Sequence, residues 1–90
     1  MSQHTFDHNE LTILAGWDRP MNEIFMVVVE TESDDIMYHN LNDPKASGAQ
    51  DTEIFKDKLK EMEIPAPEGF WESIEFDRLN DTGNVHTPWD

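Results

Sequence analysis

An unbroken run of apolar residues, closed by a carboxylate at each end, occupies Glu23–Glu30. Three of its six apolar residues are valine and one is Phe25, types that suit a packed strand better than a helix. The run has an ordinary strand length and is too short to cross a bilayer. Because apolar residues follow one another without alternation, a strand here needs cover on both faces. We therefore predict that Glu23–Glu30 is the central strand of a small sheet.

A strand is also predicted on each side of this run. Leu11–Trp17 alternates, so that every second residue faces one side of a sheet. The following turn contains Pro20, which cannot donate a ladder hydrogen bond. A polar turn, Thr31–Asp35, then leads to a third strand, Ile36–Leu41. Strands joined by turns this short pair antiparallel, which predicts a meander.

A helix is predicted beyond the loop of turn-forming residues Asn42–Gln50. Phe55, Leu59 and Met62 recur at a spacing of four and three residues, which is typical of an amphipathic helix. Asp51 precedes them and is a good N-cap. The outer face mixes lysines with carboxylates, as an ordinary solvated helix does.

The segment Glu68–Asn80 is open to two interpretations. Phe70 and Trp71, with an isoleucine three residues on, suit one face of a helix, whereas Ile74–Asp77 alternates like a strand. Gly83 follows in the position of a left-handed helix stop. We predict a second helix.

Together these elements predict an α+β fold in one small domain. It is a three-stranded antiparallel β-meander followed by two α-helices, in the order β-β-β-α-α. Residues 1–10 and 85–90 are predicted to be flexible tails. At 90 residues, the chain is large enough for one core and too small for two.

The predicted central strand leaves a question about its second face. Ile24, Met26 and Val28 would face one side of the sheet, and Phe25, Val27 and Val29 the other. If both helices roof one side, the other needs a cover, because monomers rarely leave a large apolar patch bare. A second copy of the chain, giving a homodimer, a partner protein, or terminal segments carrying Phe6 and Trp89 could supply it. Helices on opposite faces would need no cover.

Charge is the outstanding feature of the composition. Twenty acidic residues against six basic ones give a net charge of −14, which disfavours direct contact with nucleic acid or an anionic membrane. Between residues 1 and 44 the only basic residue is Arg19, and between residues 61 and 90 it is Arg78. The chain has no cysteine and no visible secretory signal. We expect a soluble cytoplasmic protein.

Motifs that would identify a chemistry are missing from the sequence. It has no phosphate-binding loop, no dinucleotide fingerprint and no nucleophile elbow. His4 and His8 are four residues apart, a metal-ligand spacing on a helix, but nothing predicts a helix there or supplies a third ligand. We therefore expect no enzyme and no cofactor or metal.

These exclusions and the charge favour a binding or regulatory function. We expect a small acidic module that engages a partner protein through its electronegative surface. The alternative is an inhibitor of the kind made by phages and mobile elements, which would mimic DNA phosphates and occupy a basic nucleic-acid-binding protein.

Three groups of residues are predicted to contact the partner. Carboxylates four and three residues apart on a helix would form a row with a spacing near that of successive phosphates. A second group lies around the turn after the central strand, and a third in the turn before it, where Trp and Arg are common interface anchors. The groups are Glu68, Glu72, Glu75 and Asp77; Glu30, Glu32, Asp34 and Asp35; and Trp17, Arg19 and Met21.

Overall fold

The computed structural model describes residues 1–46 and 48–89. The elements in chain order are β1 (Ser2–His8), β2 (Leu11–Asp18), β3 (Glu23–Glu30), β4 (Ile36–His39), α1 (Glu53–Glu61), α2 (Phe70–Leu79) and β5 (Val85–Pro88). Two short 3-10 turns, Asn40–Asn42 and Pro44–Ala46, follow β4. No helix of the described residues is long and apolar enough to cross a membrane.

The five strands form one mixed sheet in the order β4-β3-β2-β1-β5. β1 to β4 pair antiparallel with their neighbours in sequence, and β5 returns to pair parallel with β1. The predicted α+β class and the antiparallel arrangement of the middle strands are confirmed. The prediction of three strands is wrong, and β2, rather than β3, is the middle strand. β3 is nevertheless interior, with the bounds that the sequence predicted.

The two additional strands come from segments that were predicted to be tails. The sequence pattern does not predict β1, because two of the three residues on its inward side, Ser2 and His4, are polar and only Phe6 is apolar. These polar side chains are buried with partners: Ser2 Oγ accepts from the backbone N–H of Trp17, and both ring nitrogens of His4 are hydrogen-bonded. β5 covers the outer edge of β1, and Asp90 beyond it lies outside the described residues.

Both helices lie on one face of the sheet. A single apolar cluster joins alternate residues of β1, β2 and β3 to residues of α1, α2 and the segment between them. Helices on opposite faces are therefore excluded, and the other face carries none of these helices. The buried residues of the cluster are Phe6, Ile13, Ala15, Trp17, Ile24, Met26, Val28, Ala46, Phe55, Leu59, Ile64, Phe70, Trp71 and Ile74.

The helix ends differ from the prediction in their details. The predicted N-cap Asp51 is wrong, because α1 begins at Glu53 and its N-cap is Thr52; Asp51 lies one residue earlier, where its Oδ1 accepts from the backbone N–H of Glu53 at 3.1 Å. The predicted stop at Gly83 is wrong, because Asp81 adopts the left-handed conformation with φ of 48°. Aspartate tolerates this conformation, and the Asp81 carboxylate accepts a hydrogen bond from the indole N–H of Trp17.

Gly16 in β2 is required by a close approach of the chain. A Cβ at this position would lie 2.0 Å from the carbonyl oxygen of Ser2. A side chain at Gly16 would clash with the backbone of β1, so the glycine meets a packing requirement.

Candidate functional site

The open face of the sheet carries an apolar groove of about 370 Å³. Its floor is formed by Leu14 of β2 and by Phe25 and Val27 of β3, and Leu14 and Val27 are paired directly across the two strands. These side chains are brought together because every second residue of a strand points to the same face. The complete lining is Met1, Leu14, Asp18, Met21, Glu23, Phe25, Val27, His39, Asn40 and Leu41.

Two strongly exposed apolar side chains border this groove. Met21 in the β2–β3 turn is 63% exposed, and Leu41 in the 3-10 turn after β4 is 72% exposed. Their backbones are held: Met21 N–H donates to Asp18 Oδ1 at 3.2 Å, and Leu41 N–H donates to His39 Nδ1 at 3.1 Å. The backbones of Met21 and Leu41 are thus held by hydrogen bonds, while their side chains remain exposed to solvent.

Asn40 supplies a polar group in the groove lining that lacks a partner. The residue is only 3% exposed, and its Oδ1 atom is buried without a hydrogen bond to any residue that the structure describes. A buried acceptor left unpaired costs about 1–3 kcal/mol, so native proteins rarely keep one without a reason. Because the atom has almost no exposed surface, a bound N–H or O–H donor would satisfy it only after the Asn40 side chain turns toward the groove.

The acidic side chains in the lining are Asp18 and Glu23. Asp18 and Glu23 lie at the end of the groove near the β2–β3 turn, and neither Lys nor Arg is among the described lining residues. Glu23 is buried, and its Oε2 accepts from the backbone N–H of Gly48 at 2.9 Å. The groove is therefore apolar on its floor and electronegative at one end.

A second electronegative region lies at the opposite end of the sheet. The β3–β4 turn brings together the predicted group Glu30, Glu32, Asp34 and Asp35, and the β1–β2 turn lies beside it. Thr31 N–H donates to the Glu10 carbonyl at 2.8 Å, and Thr12 Oγ1 donates to Asp7 Oδ1 at 2.8 Å. We call this region the acidic end; its acidic residues are Asp7, Glu10, Glu30, Glu32, Asp34 and Asp35.

The acidic end shows no arrangement for a metal ion. In the parts of the chain that the structure describes, no three His, Asp or Glu side chains are grouped to ligate one. His4 and His8, the spacing noted in the sequence, lie on a strand and not on a helix. Backbone hydrogen bonds, such as Glu30 N–H to the Asp35 carbonyl, hold the turn itself.

The predicted row of carboxylates on the last helix is not formed. Glu68 precedes α2, and Glu72 is exposed on it. Glu75 points toward the start of α1, where its Oε1 accepts from Thr52 N–H at 3.0 Å and its Oε2 accepts from Arg78 Nε at 3.2 Å. The helix turns these side chains in different directions, so only Glu68 and Glu72 remain wholly available at the surface.

Asp77, the fourth residue of that predicted group, is buried against β1. His4 Nε2 lies 2.6 Å from Asp77 Oδ2, and the indole N–H of Trp89 donates to His4 Nδ1 at 3.0 Å. Because the indole can only donate, Nδ1 is the acceptor, and Nε2 carries the hydrogen that Asp77 accepts. This chain of bonds fastens α2 and the end of β5 to β1, which is a structural role.

The β2–β3 turn keeps only part of its predicted contact group at the surface. Trp17 is buried, and its indole N–H donates to Asp81 Oδ1 at 3.0 Å; Arg19 Nε donates to Asp81 Oδ2 at 3.1 Å. One carboxylate after α2 thus holds both residues. Trp17 is unavailable to a partner, whereas Met21 is exposed on the groove wall.

A polar corner lies at the β4 edge, beside α1. Tyr38 OH donates to Asp43 Oδ2 at 2.8 Å, and Lys58 Nζ stands 5.3 Å from the centre of the Tyr38 ring. Burial, together with the bond to the Asp43 carboxylate, raises the pKa of Tyr38 well above its usual range. The same bond, donated by Tyr38, is the main cause that lowers the pKa of Asp43.

The sequence predicts that the second face of the sheet needs a cover, but it does not predict the groove. Phe25 and Val27 belong to that predicted face, whereas the predicted site residues do not include Leu14, Asn40 or Leu41. Leu14 could have been found from the alternation of β2, since it faces opposite to Ile13. Asn40 could not, because whether a polar side chain is buried depends on tertiary packing.

Comparison with known proteins finds no similar family or structure. No protein-family model matches the chain, no curated protein is significantly similar to it, and no solved structure matches it. The groove and the charges are therefore the features from which a function can be inferred.

Proposed function

We propose that this protein is a small acidic binding module that regulates a basic partner protein by engaging it through its electronegative surface. The observation that carries the proposal is the acidic end. Two separate turns bring their carboxylates together there, and the basic residue nearest in sequence, Arg19, is in the turn at the opposite end of the sheet.

Apart from Asp7, which accepts from Thr12, the carboxylates of the acidic end have no side-chain partner among the described residues. The ion pairs among the described residues involve Asp77, Asp81, Glu53, Glu61 and Glu75, and none involves the β3–β4 turn. Unpaired like charges repel one another and cost stability, which a basic partner would relieve. A net charge of −14 would also speed the encounter with such a partner.

A phosphate-mimicking inhibitor of a nucleic-acid-binding protein is the second candidate. The net charge of −14 favours it, since the field that attracts DNA to a basic groove would attract this chain as well. The structure removes Glu75 and Asp77 from the proposed phosphate row, so a mimic would have to use the acidic end. A homodimer that covers the open face is a further proposal, which sedimentation can test directly.

The proposed function is tested by charge reversal with a matched control. One variant changes Glu30, Glu32 and Asp35 to Lys, and the control changes Asp57, Glu61 and Glu68 to Lys, so both gain the same charge. Asp34 is left unchanged because its φ of 61° suits Asp better than Lys. Each tagged protein captures its partner from a lysate of the source cells across a salt series.

We expect wild type and the control to retain one partner with an affinity that falls steeply with salt, and the acidic-end variant to lose it. If the captured protein binds nucleic acid and duplex DNA displaces it competitively, the mimic is favoured over the general regulator. Equal capture by both variants, with the same salt dependence, would contradict the proposal.

A further inference from the structure

We infer that the groove on the open face docks a cationic, amphipathic peptide segment of the partner. Apolar side chains of the segment would lie on Leu14, Phe25 and Val27, and one of its N–H groups would donate to Asn40. The inference rests on the proposed function, which makes the partner basic. It adds the place of contact and the chemistry of the segment.

The groove is apolar surface that the described chain does not cover. The terminal residues that could have folded over it lie on the other face: Phe6 packs against Phe70, with ring centres 4.9 Å apart, and Trp89 packs against Phe70 at 5.8 Å. The apolar surface also continues from the groove toward the acidic end. Val29 is paired with Ile36, and Ile36 is 59% exposed.

Asn40 is an independent sign that a ligand with a hydrogen-bond donor binds here. Asn40 is a lining residue, and its Oδ1 has almost no exposed surface and no partner among the described residues, so a ligand donor reaches it when the Asn40 side chain turns toward the groove. An apolar side chain of similar shape would avoid this cost. A peptide N–H or a cationic side chain reaching Asn40 would convert the unpaired acceptor into a specific contact.

Charge complementarity selects a cationic segment over a second copy of the chain. The groove lining holds Asp18 and Glu23, the acidic end lies beyond Ile36, and the described lining includes no Lys or Arg. Two copies would each bring a net charge of −14 to the contact, which opposes association. A segment with Lys or Arg beside its apolar residues would instead gain from both electronegative regions.

The groove has flexible side chains at its rim, which suit a peptide. It is an open depression on a sheet, and its rims include the thioether side chains of Met1 and Met21. Methionine is flexible and polarisable, so it adapts to apolar side chains of different shapes.

The test uses three synthetic peptides of equal length as probes. The first combines Leu with Lys, the second Leu with Glu, and the third Ser with Lys. Methyl and amide NMR signals of the full chain report where each peptide binds, and calorimetry gives the affinity. We expect only the Leu–Lys peptide to shift the methyl signals of Leu14, Val27 and Leu41. The Ser–Lys peptide should shift only the acidic end.

Leu41→Lys and Leu79→Lys form a matched pair of variants. Both leucines are 72% exposed, so neither change should prevent folding, but Leu79 lies on α2 away from the groove. We expect Leu41→Lys to weaken binding of the Leu–Lys peptide about tenfold or more, as loss of an interface anchor does, and Leu79→Lys less than about twofold.

Asn40→Leu tests the donor to the buried oxygen. Removing an unpaired buried polar group should leave the protein at least as stable as wild type. Binding of the Leu–Lys peptide should nevertheless weaken about tenfold, because the peptide loses its acceptor. Loss of stability with unchanged binding would overturn the role assigned to Asn40.

The outcomes separate this inference from the proposed function. Peptide shifts confined to the acidic end would overturn the groove and leave the electrostatic proposal standing. Groove binding that is insensitive to salt and to reversal of the acidic end would support the groove and contradict the electrostatic proposal. Self-association of wild type that Leu41→Lys abolishes would assign the groove to a second copy and overturn the inference.

Discussion

The two faces of β3 are equally apolar in sequence and differ in the folded protein. Ile24, Met26 and Val28 are fully buried under the helices. On the opposite face Phe25 is 8% exposed, and Val27 and Val29 keep more of their surface in solvent. The hydrophobic effect depends on the area removed from water and not on residue type. Apolar residues on the covered face therefore stabilise the fold, while those on the open face remain available for binding.

Polar residues divide between the faces in the opposite way. The covered side contains His4 and Asp77, both buried and bonded to each other. The groove on the open side contains Asn40, also buried, whose Oδ1 has no partner among the described residues. A buried polar group with hydrogen-bond partners favours one specific arrangement of the core. A buried polar group without a partner lowers stability, and a ligand that bonds to it can remove this loss. The comparison thus locates the functional surface by its incomplete hydrogen bonding as well as by its exposure.

The largest contrast is expected from Val28→Asp and Val27→Asp, which place the same charge on the two faces at adjacent positions. Val28 is fully buried, so an unpaired carboxylate there should lower the free energy of unfolding by at least about 3 kcal/mol. Val27 is partly exposed, and its variant should lose about 1 kcal/mol or less. Urea unfolding followed by circular dichroism measures both.

Equal losses of unfolding free energy in the two variants would contradict the difference between the two faces. That result would mean that the open face is covered in solution, for example by a second copy of the chain. Unfolding at several protein concentrations distinguishes the cases, because the stability of a dimer rises with concentration and that of a monomer does not.

An intermediate effect is expected at the polar group of the covered face. His4→Leu leaves the Asp77 carboxylate buried without its partner, which should lower the free energy of unfolding by about 2–4 kcal/mol. Replacing both residues by Leu should recover part of this loss, since neither polar group is then left unpaired. If His4→Leu costs less than about 0.5 kcal/mol, water reaches Asp77 and the site is not dry.

The sequence predicted the elements whose apolar pattern is dense and missed those held by polar contacts. The bounds of β3 and the existence of β2, β4 and both helices follow from periodicity. β5 has four residues, and in Val85–Pro88 only Val85 and Pro88 are apolar. Its pairing depends on β1 and on the bonds of Trp89, for example the one from its backbone N–H to the Thr5 carbonyl at 2.7 Å. Such long-range contacts leave no local pattern.

The candidate site was predictable to a similar degree. The apolar character of Phe25 and Val27 follows from the strand, and the acidic turn from the composition. The sequence does not predict which carboxylates face outward, because Glu75 and Asp77 are turned inward by their hydrogen bonds to the start of α1 and to β1. Helical spacing places residues on a helix, but packing against other elements decides which of them reach solvent.

The smallest effect on stability is expected from Tyr38→Phe, at the partly exposed edge of the covered face. Tyr38 is paired with Val28, so it belongs to that face, yet its OH meets an Asp43 carboxylate near the surface. The variant removes the bond that is the main cause of the lowered pKa of Asp43. We expect the pKa of Asp43, followed by NMR, to rise in the variant.

The stability of wild type relative to Tyr38→Phe should depend on pH in a defined direction. Because the pKa of Asp43 is lower in the folded state, its contribution is present above the pKa of the unfolded chain, near 4, and is lost as pH falls through the folded value. Because the pKa of Tyr38 is raised, its contribution is present below about 10 and is lost at higher pH. The difference between the two proteins should therefore be greatest between these limits and diminish toward both extremes. A difference in unfolding free energy that stays constant through acid pH would contradict this account. It would show that the Tyr38 side chain stabilises the fold without support from the Asp43 carboxylate.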